Sequence, residues 1–364
     1  MASSPTPWTA RMDRRAFFRY GLLAGAAALT ARALTHGGAG SCATARGVCS
    51  ACPGLPDCGL PQALSAREGG AATPGASAGA GGSYALIRRI PGGKEPARAV
   101  EFGPDGRLWL AAGSTLALLS ETGAREREIA FDAPVRAVAV GADGTLYAGL
   151  RDRVVVCGAD GRRRAEWTIP GKRPWITGLA VTEEALFAAD AGNRVVLRLD
   201  RSGRLLGRIG AKDPERDVPG FVIPSPYFTV RAHPDGLLRV NNPGRHRVEA
   251  YTPEGDFEGA WGTASASAAG FCGCCNPVGL ALLPDGRVVT CEKGLPRVKI
   301  FSGTGEFESV AAPSAAFPEA ARAGAGAADL DASLAGLAVA ADARGRLAVL
   351  DHVTGSIHLF QPKA

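Results

Sequence analysis

Eight of the nine cysteines in this 364-residue chain fall into two groups of four, and their spacing defines the chemistry available to it. The first group is Phe271-Cys272-Gly273-Cys274-Cys275-Asn276-Pro277, joined by Cys291 in Cys291-Glu292-Lys293-Gly294 one hairpin later. Three chemistries fit four thiols in one small region. Structural disulfides suit an oxidising compartment. A metal or iron–sulfur site requires four thiolates, or fewer with histidine, converging tetrahedrally. A thiol-redox centre requires an accessible thiolate of low pKa beside a basic residue, here Lys293 or Arg297. Adjacent Cys274 and Cys275 rarely bond to each other without strain, so different partners are expected for them. The second group is Cys42, Cys49, Cys52 and Cys58. That segment is too small for an apolar core and needs a staple, either two disulfides or a bound metal such as zinc or an iron–sulfur cluster. Cys157 stands alone in Val154-Val-Val-Cys157 and reads as a buried strand residue.

The elements that position these residues repeat from Ser83 onward. Each copy runs strand, tight turn, strand, polar loop, second hairpin. First-hairpin turns stand at Pro104-Asp105-Gly106, Ala142-Asp143-Gly144, Thr182-Glu183-Glu184, Pro234-Asp235-Gly236, Pro284-Asp285-Gly286 and Ala343-Arg344-Gly345. Asp-Gly supplies the positive φ that short hairpins demand, and the flanks alternate as half-buried strands do, as in Val278-Gly-Leu-Ala-Leu-Leu. Second-hairpin turns follow in five copies. The sixth ends at Ile357-His-Leu-Phe360 without a fourth strand, and Tyr84-Ala-Leu-Ile-Arg-Arg-Ile90 can supply it, closing a ring and removing its exposed edges. The expectation is an all-β, six-bladed β-propeller of four-stranded blades over 83–364.

In such blades the segments before each inner strand and after each second strand share one rim. The three longest connections, near 211–224, 263–275 and 313–332, all precede an inner strand and elaborate that rim, where binding loops belong. Pairing of 278–283 with 286–291 would bring Cys275 and Cys291 side by side there. Polar candidates on the same rim are Asp190, Asn193, Arg194, Asn241, Asn242, Arg245, His246, Asn276, Glu292, Lys293, Arg297, Asp351 and His352. Asp190 and Asn193 also suit a turn device whose side chains cap loop backbone. Trp175 and Tyr227, near the starts of inner strands, are expected to wall the central funnel.

Asp190-Ala-Gly-Asn-Arg-Val-Val-Leu-Arg-Leu199 together with the Pro-Asp-Gly turns resembles NHL-repeat propellers, and Asn276-Pro-Val-Gly-Leu-Ala is similar to the pattern of gluconolactonase-like propellers. The first resemblance implies a scaffold for a protein partner or small ligand. The second implies a divalent cation held by a Glu, Asn and Asp set that polarises a lactone, with Asn241, Asn276 and Asp351 as candidates here. No glutamate stands at the start of the first copy, Pro96-Ala-Arg-Ala-Val.

Upstream, Asp13-Arg14-Arg15-Ala16-Phe17-Phe18-Arg19 resembles a twin-arginine export signal, followed by a short apolar stretch over 21–34 that Arg32 interrupts. Met12 suits an alternative start. The resemblance implies a periplasmic protein, anchored to the membrane only where the signal is retained. Residues 1–41 then form signal and spacer, 42–66 a Cys-rich module and 67–82 a flexible Gly/Ala/Ser linker. Exported cysteine clusters of this kind would suit electron transfer. The net charge of +6 is concentrated at that end. Residues 1–35 hold five arginines and one aspartate, so the remainder carries 36 basic and 34 acidic residues, which argues against nucleic acid or anionic lipid as a partner. The chain shows no phosphate-binding glycine loop, HExxH, Gly-x-Ser-x-Gly or CxxCH.

Overall fold

The computed structural model describes residues 82–273, 275–325 and 336–363. The proposed signal, the Cys-rich module with Cys42, Cys49, Cys52 and Cys58, nearly all of the linker, and Cys274 lie outside the described residues.

Six four-stranded antiparallel sheets form a β-propeller. Strand β1 (Tyr84–Ile90) comes first in the chain. Blade one follows as β2 (Ala97–Phe102), β3 (Leu108–Ala112), β4 (Thr115–Leu119) and β5 (Arg125–Ala130). Blade two is β6 (Ala137–Val140), β7 (Leu146–Gly149), β8 (Arg153–Cys157) and β9 (Arg163–Thr168). Blade three is β10 (Ile176–Val181), β11 (Ala185–Asp190), β12 (Val195–Asp200) and β13 (Leu205–Ile209). Blade four is β14 (Val230–Ala232), β15 (Leu238–Asn242), β16 (Arg247–Tyr251) and β17 (Phe257–Trp261). Blade five is β18 (Gly279–Leu282), β19 (Val288–Cys291), β20 (Val298–Phe301) and β21 (Phe307–Ala312). Blade six is β22 (Leu337–Ala341), β23 (Leu347–Asp351) and β24 (Ile357–Pro362), completed by β1. The inner strands β2, β6, β10, β14, β18 and β22 contact one another around the axis.

The turns follow from their residues. Gly106, Gly144, Gly236, Gly286 and Gly345 all adopt positive φ, between 74° and 86°. In four of these turns the preceding aspartate accepts from backbone two residues on, as in Asp105 from Arg107 N (3.1 Å) and Asp235 from Leu237 N (2.9 Å). Copy three lacks the glycine. There the Thr182 and Ala185 backbones pair at 2.9 Å, and Thr182 Oγ1 accepts from Ala185 N at 3.1 Å.

Second strands such as β3, β11 and β19 are buried along their whole length because a neighbouring blade covers each face. Outer strands such as β5 are mostly exposed. The connection 313–332 contains a helix, Pro318–Ala325, that the repeat pattern does not anticipate. No described helix is long and apolar enough to cross a membrane.

Candidate functional site

Inner strands that start at one rim leave a funnel between them, and its walls define a cavity of 320 Å³. Arg98, Arg136, Trp175, Thr177, Tyr227, Thr229 and His352 line its mouth, so both aromatic residues expected as walls stand there. Arg231 closes it deeper in the channel. Its guanidinium donates to the carbonyls of Leu280 (2.9 Å), Leu179 (3.3 Å) and Val339 (3.4 Å) and pairs with Glu101 at 2.9 Å. One side chain thereby joins four blades to its own. Burial raises the Glu101 pKa against the opposing charge of Arg231.

The loops that carry the mouth are held by buried polar side chains. Asp190 Oδ1 accepts from the backbone N–H groups of Trp175 (2.9 Å), Gly192 (3.1 Å) and Asn193 (3.1 Å), which fixes Trp175 at the start of β10. Asp190 Oδ2 accepts from Asn193 Nδ2 at 2.6 Å. Asn241 Oδ1 accepts from Thr229 N at 2.6 Å, while its Nδ2 donates to the carbonyls of Tyr227 (3.2 Å) and Pro277 (2.9 Å). Asn242 bridges Val222 N (2.9 Å) and Glu249 (2.9 Å). Asn276 exchanges bonds with the Lys293 backbone at 2.9 and 3.0 Å. His246 contacts the Gly273 carbonyl at 2.6 Å. Asp351 is buried and bonds Val353 N at 2.8 Å. Arg245 donates to the Pro219 carbonyl at 3.1 Å. Asn241, Asn242, His246, Asn276 and Asp351 therefore hold loops. The polar atoms of Asn241 and Asn276 are used on backbone groups.

The cysteines occupy different surroundings. Cys291 ends β19 wholly buried, in a cluster with Val278, Val298 and Leu337. Cys272 is buried, and its amide donates to Glu292 at 3.0 Å. Cys275 is buried and accepts from Ser225 Oγ at 3.6 Å. The ladder that was expected to return Cys275 to Cys291 ends at Gly279 and Cys291, with Val278 N bonding Cys291 O at 2.8 Å. Cys157, Cys272 and Cys291 are free thiols. Burial, then the Glu292 charge, pushes the Cys272 pKa up to about 11, and burial raises Cys291 as well. Neither is the low-pKa thiolate of a redox centre. Among the described residues no three His, Cys, Asp or Glu side chains converge as a metal site.

Glu292 and Arg297, expected as rim ligands, instead form a buried ion pair at 2.7 Å that Lys299 joins at 3.3 Å. Lys293 instead lies beside Tyr227. Its ammonium lies 5.2 Å from the Tyr227 ring centroid and 3.4 Å from Ser225 Oγ.

His352 stacks on Tyr227 at 5.7 Å and 17°. The Tyr227 hydroxyl accepts from Gly336 N at 2.9 Å, leaving its proton for His352 Nδ1 at 3.3 Å. Nε2–H then donates to the Arg98 carbonyl at 3.2 Å. This pattern needs neutral imidazole, and burial plus the Arg98 charge lower its pKa to about 4. The unfolded chain binds the proton first as pH falls from about 6.5, so the fold loses stability down to about pH 4, by on the order of 3 kcal/mol from this residue. His352→Gln is expected to flatten the fall in melting temperature between pH 6.5 and 4.5. An unchanged slope would refute the assignment.

Arg98, Arg136, Arg151 and Arg231 were not among the sequence candidates. Arg98 and Arg136 share a signal, each standing seven residues before the turn aspartate of its copy, Asp105 or Asp143.

No family model and no curated protein matches the chain. Among solved structures it is similar to a catalytically inactive virginiamycin B lyase from Staphylococcus aureus with quinupristin (14% identity, TM-score 0.50), covering 74% of this chain and 82% of that one. It is also similar to the WD40 β-propeller domain of Doa1 (12% identity, TM-score 0.50, covering 77% of this chain and 97% of that one). A chain of a mitotic checkpoint complex is a third such neighbour (9% identity, TM-score 0.52, 76% and 91% covered). At these identities the likeness establishes the fold alone: the chain is a β-propeller.

Proposed function

We propose that this is an exported NHL-type propeller that binds a small ligand in its central funnel, at the rim carrying its longest loops. The observation that carries this reading is the 320 Å³ cavity walled by Trp175 and Tyr227 and closed below by Arg231. Its volume lies at the small end of ligand sites, roughly 300–1,000 Å³. The lactone-hydrolase reading is not favoured, because Asn241 and Asn276 are committed to backbone groups. In the proposed arrangement the Asp13–Arg19 signal directs the protein to the periplasm. Cys42, Cys49, Cys52 and Cys58 form a stapled module, holding zinc or an iron–sulfur cluster in the electron-transfer version and two disulfides in the scaffold version. Metal and thiol quantification on the exported protein separates those two.

The funnel reading is tested by a thermal-shift screen of small metabolites followed by titration calorimetry. A saturable ligand is expected whose affinity falls roughly tenfold in Trp175→Ala. A silent screen, or binding that ignores Trp175→Ala, would sink it.

A further inference from the structure

Among the described residues, Arg98 and Arg136 line the funnel mouth and Arg151 lies beside them over Trp175, none with a carboxylate partner. Arg98 lies in β2, Arg136 immediately precedes β6 and Arg151 follows β7. The Arg136 and Arg151 guanidinium carbons each lie 5.3 Å from the centroid of the Trp175 ring. Elsewhere the buried or half-buried arginines have carboxylate partners: Arg231 with Glu101, Arg239 with Asp235, Arg297 with Glu292. Among the described residues no carboxylate pairs with Arg98, Arg136 or Arg151, and no aspartate or glutamate lines the cavity.

Two donors there also find no acceptor among the described residues. Arg136 Nε and Trp175 Nε1 are buried without an acceptor, and a buried donor left unmade costs stability. Burial, then the charges of Arg98 and Arg151, lowers the Arg136 pKa. The mouth therefore carries like charges close together, and local rules broken in this way mark functional sites.

We propose that the mouth is an anion subsite that takes the carboxylate of a small organic acid, with Arg98 and Arg136 on the charge and Trp175 against the acid's apolar or ring body. The planar guanidinium fork matches a carboxylate, and the unused Arg136 Nε and Trp175 Nε1 protons supply donors to its oxygens. Arg151, outside the cavity lining, keeps the indole positioned and adds to the positive potential. The cavity leaves room for about a single ring beside the acid group. This inference rests on the ligand-binding reading of the funnel.

The test titrates the full chain by calorimetry and thermal shift with phenylacetate, its neutral isostere phenylacetamide, and inorganic phosphate. Phenylacetate is expected to bind roughly tenfold more tightly than phenylacetamide or better, and to weaken as salt rises. Arg98→Gln and Arg136→Gln should each weaken phenylacetate about tenfold and leave phenylacetamide unchanged. Ligand-free Arg136→Gln should melt at or above the parent temperature, because it removes an uncompensated charge; that result separates lost binding from lost folding. Equal affinity for acid and amide, phenylacetate binding untouched by Arg136→Gln, or phosphate binding in place of phenylacetate would each overturn the proposal. Equal affinity for acid and amide, with both lost in Trp175→Ala, would keep the funnel as a ligand site while removing its preference for anions.

Discussion

Glu292→Gln is expected to destabilise the protein by about 3–5 kcal/mol. The carboxylate is wholly buried. It accepts from Arg297 at 2.7 and 3.1 Å, pairs with Lys299 at 3.3 Å and accepts from the Cys272 amide at 3.0 Å. The two cations in turn hold the 263–275 loop, Arg297 through the Ala266 carbonyl at 3.0 Å and Lys299 through that of Gly270. Neutralising Glu292 leaves two buried positive charges uncompensated.

Burial already lowers the Lys299 pKa to about 8, against the attraction of Glu292. Without that attraction the folded-state value drops further, whereas the unfolded lysine titrates near 10.5. The unfolded variant then binds more protons across a pH range in which the parent does not, so the variant gains stability as pH rises. Its deficit should be larger at pH 6 than at pH 8 in urea unfolding. A deficit below about 1 kcal/mol, or one independent of pH, would show that the triad is not balanced as described. Replacing all three residues with apolar ones of similar size, Glu292→Leu, Arg297→Leu and Lys299→Met, should cost less than the single change.

The same triad shows what the sequence conceals. Glu292, Lys293 and Arg297 follow β19 as a charged run, and a charged run after a strand normally marks a solvated loop. Here the long 263–275 connection covers Glu292 and Arg297. No local pattern encodes that covering. The cysteines mislead for a related reason. Spacing gives sequence proximity, but Cys291 belongs to a fully buried second strand, and burial between blades is set by the repeat as a whole. The blades themselves were legible, because short hairpin turns, three of them Pro-Asp-Gly, and alternating strands are local signals repeated six times over. The Asp190–Asn193 turn was legible for the same reason, since its capping bonds span only three residues. Trp175 and Tyr227 were found by topology, from their place before inner strands. The arginine cluster unites residues from the first two blades around an indole of the third. Only ring closure brings them together, and their one sequence trace is the shared offset of Arg98 and Arg136 from their turns.

Ring closure itself yields the second large effect. Deleting Tyr84–Ile90 is expected to abolish a monomeric, cooperatively unfolding protein. Strand β1 pairs with β24 from Tyr84 opposite Pro362 to Ile90 opposite Ile357. It buries Tyr84 and Ile90, at 7% and 5% exposure. Two such side chains contribute about 1.5–3 kcal/mol each, and the lost ladder adds to that. The sum approaches the whole stability of a typical domain, roughly 5–15 kcal/mol. The deletion also bares β24 as an edge, which recruits another chain. Size-exclusion chromatography should therefore show oligomers or aggregate. The geometry further supplies a rescue. Lys363 N bonds Ser83 O at 3.1 Å, so the end of β24 and the start of β1 meet as the two arms of a hairpin would. A permuted chain that begins at Gly92 and joins Lys363 to Ser83 through Asn-Gly, ending at Ile90, makes blade six continuous. It should fold as a monomer with a melting temperature near the parent's. A monomeric deletion variant, or a permutant that fails to fold while the parent does, would show that closure by β1 does not hold the ring together.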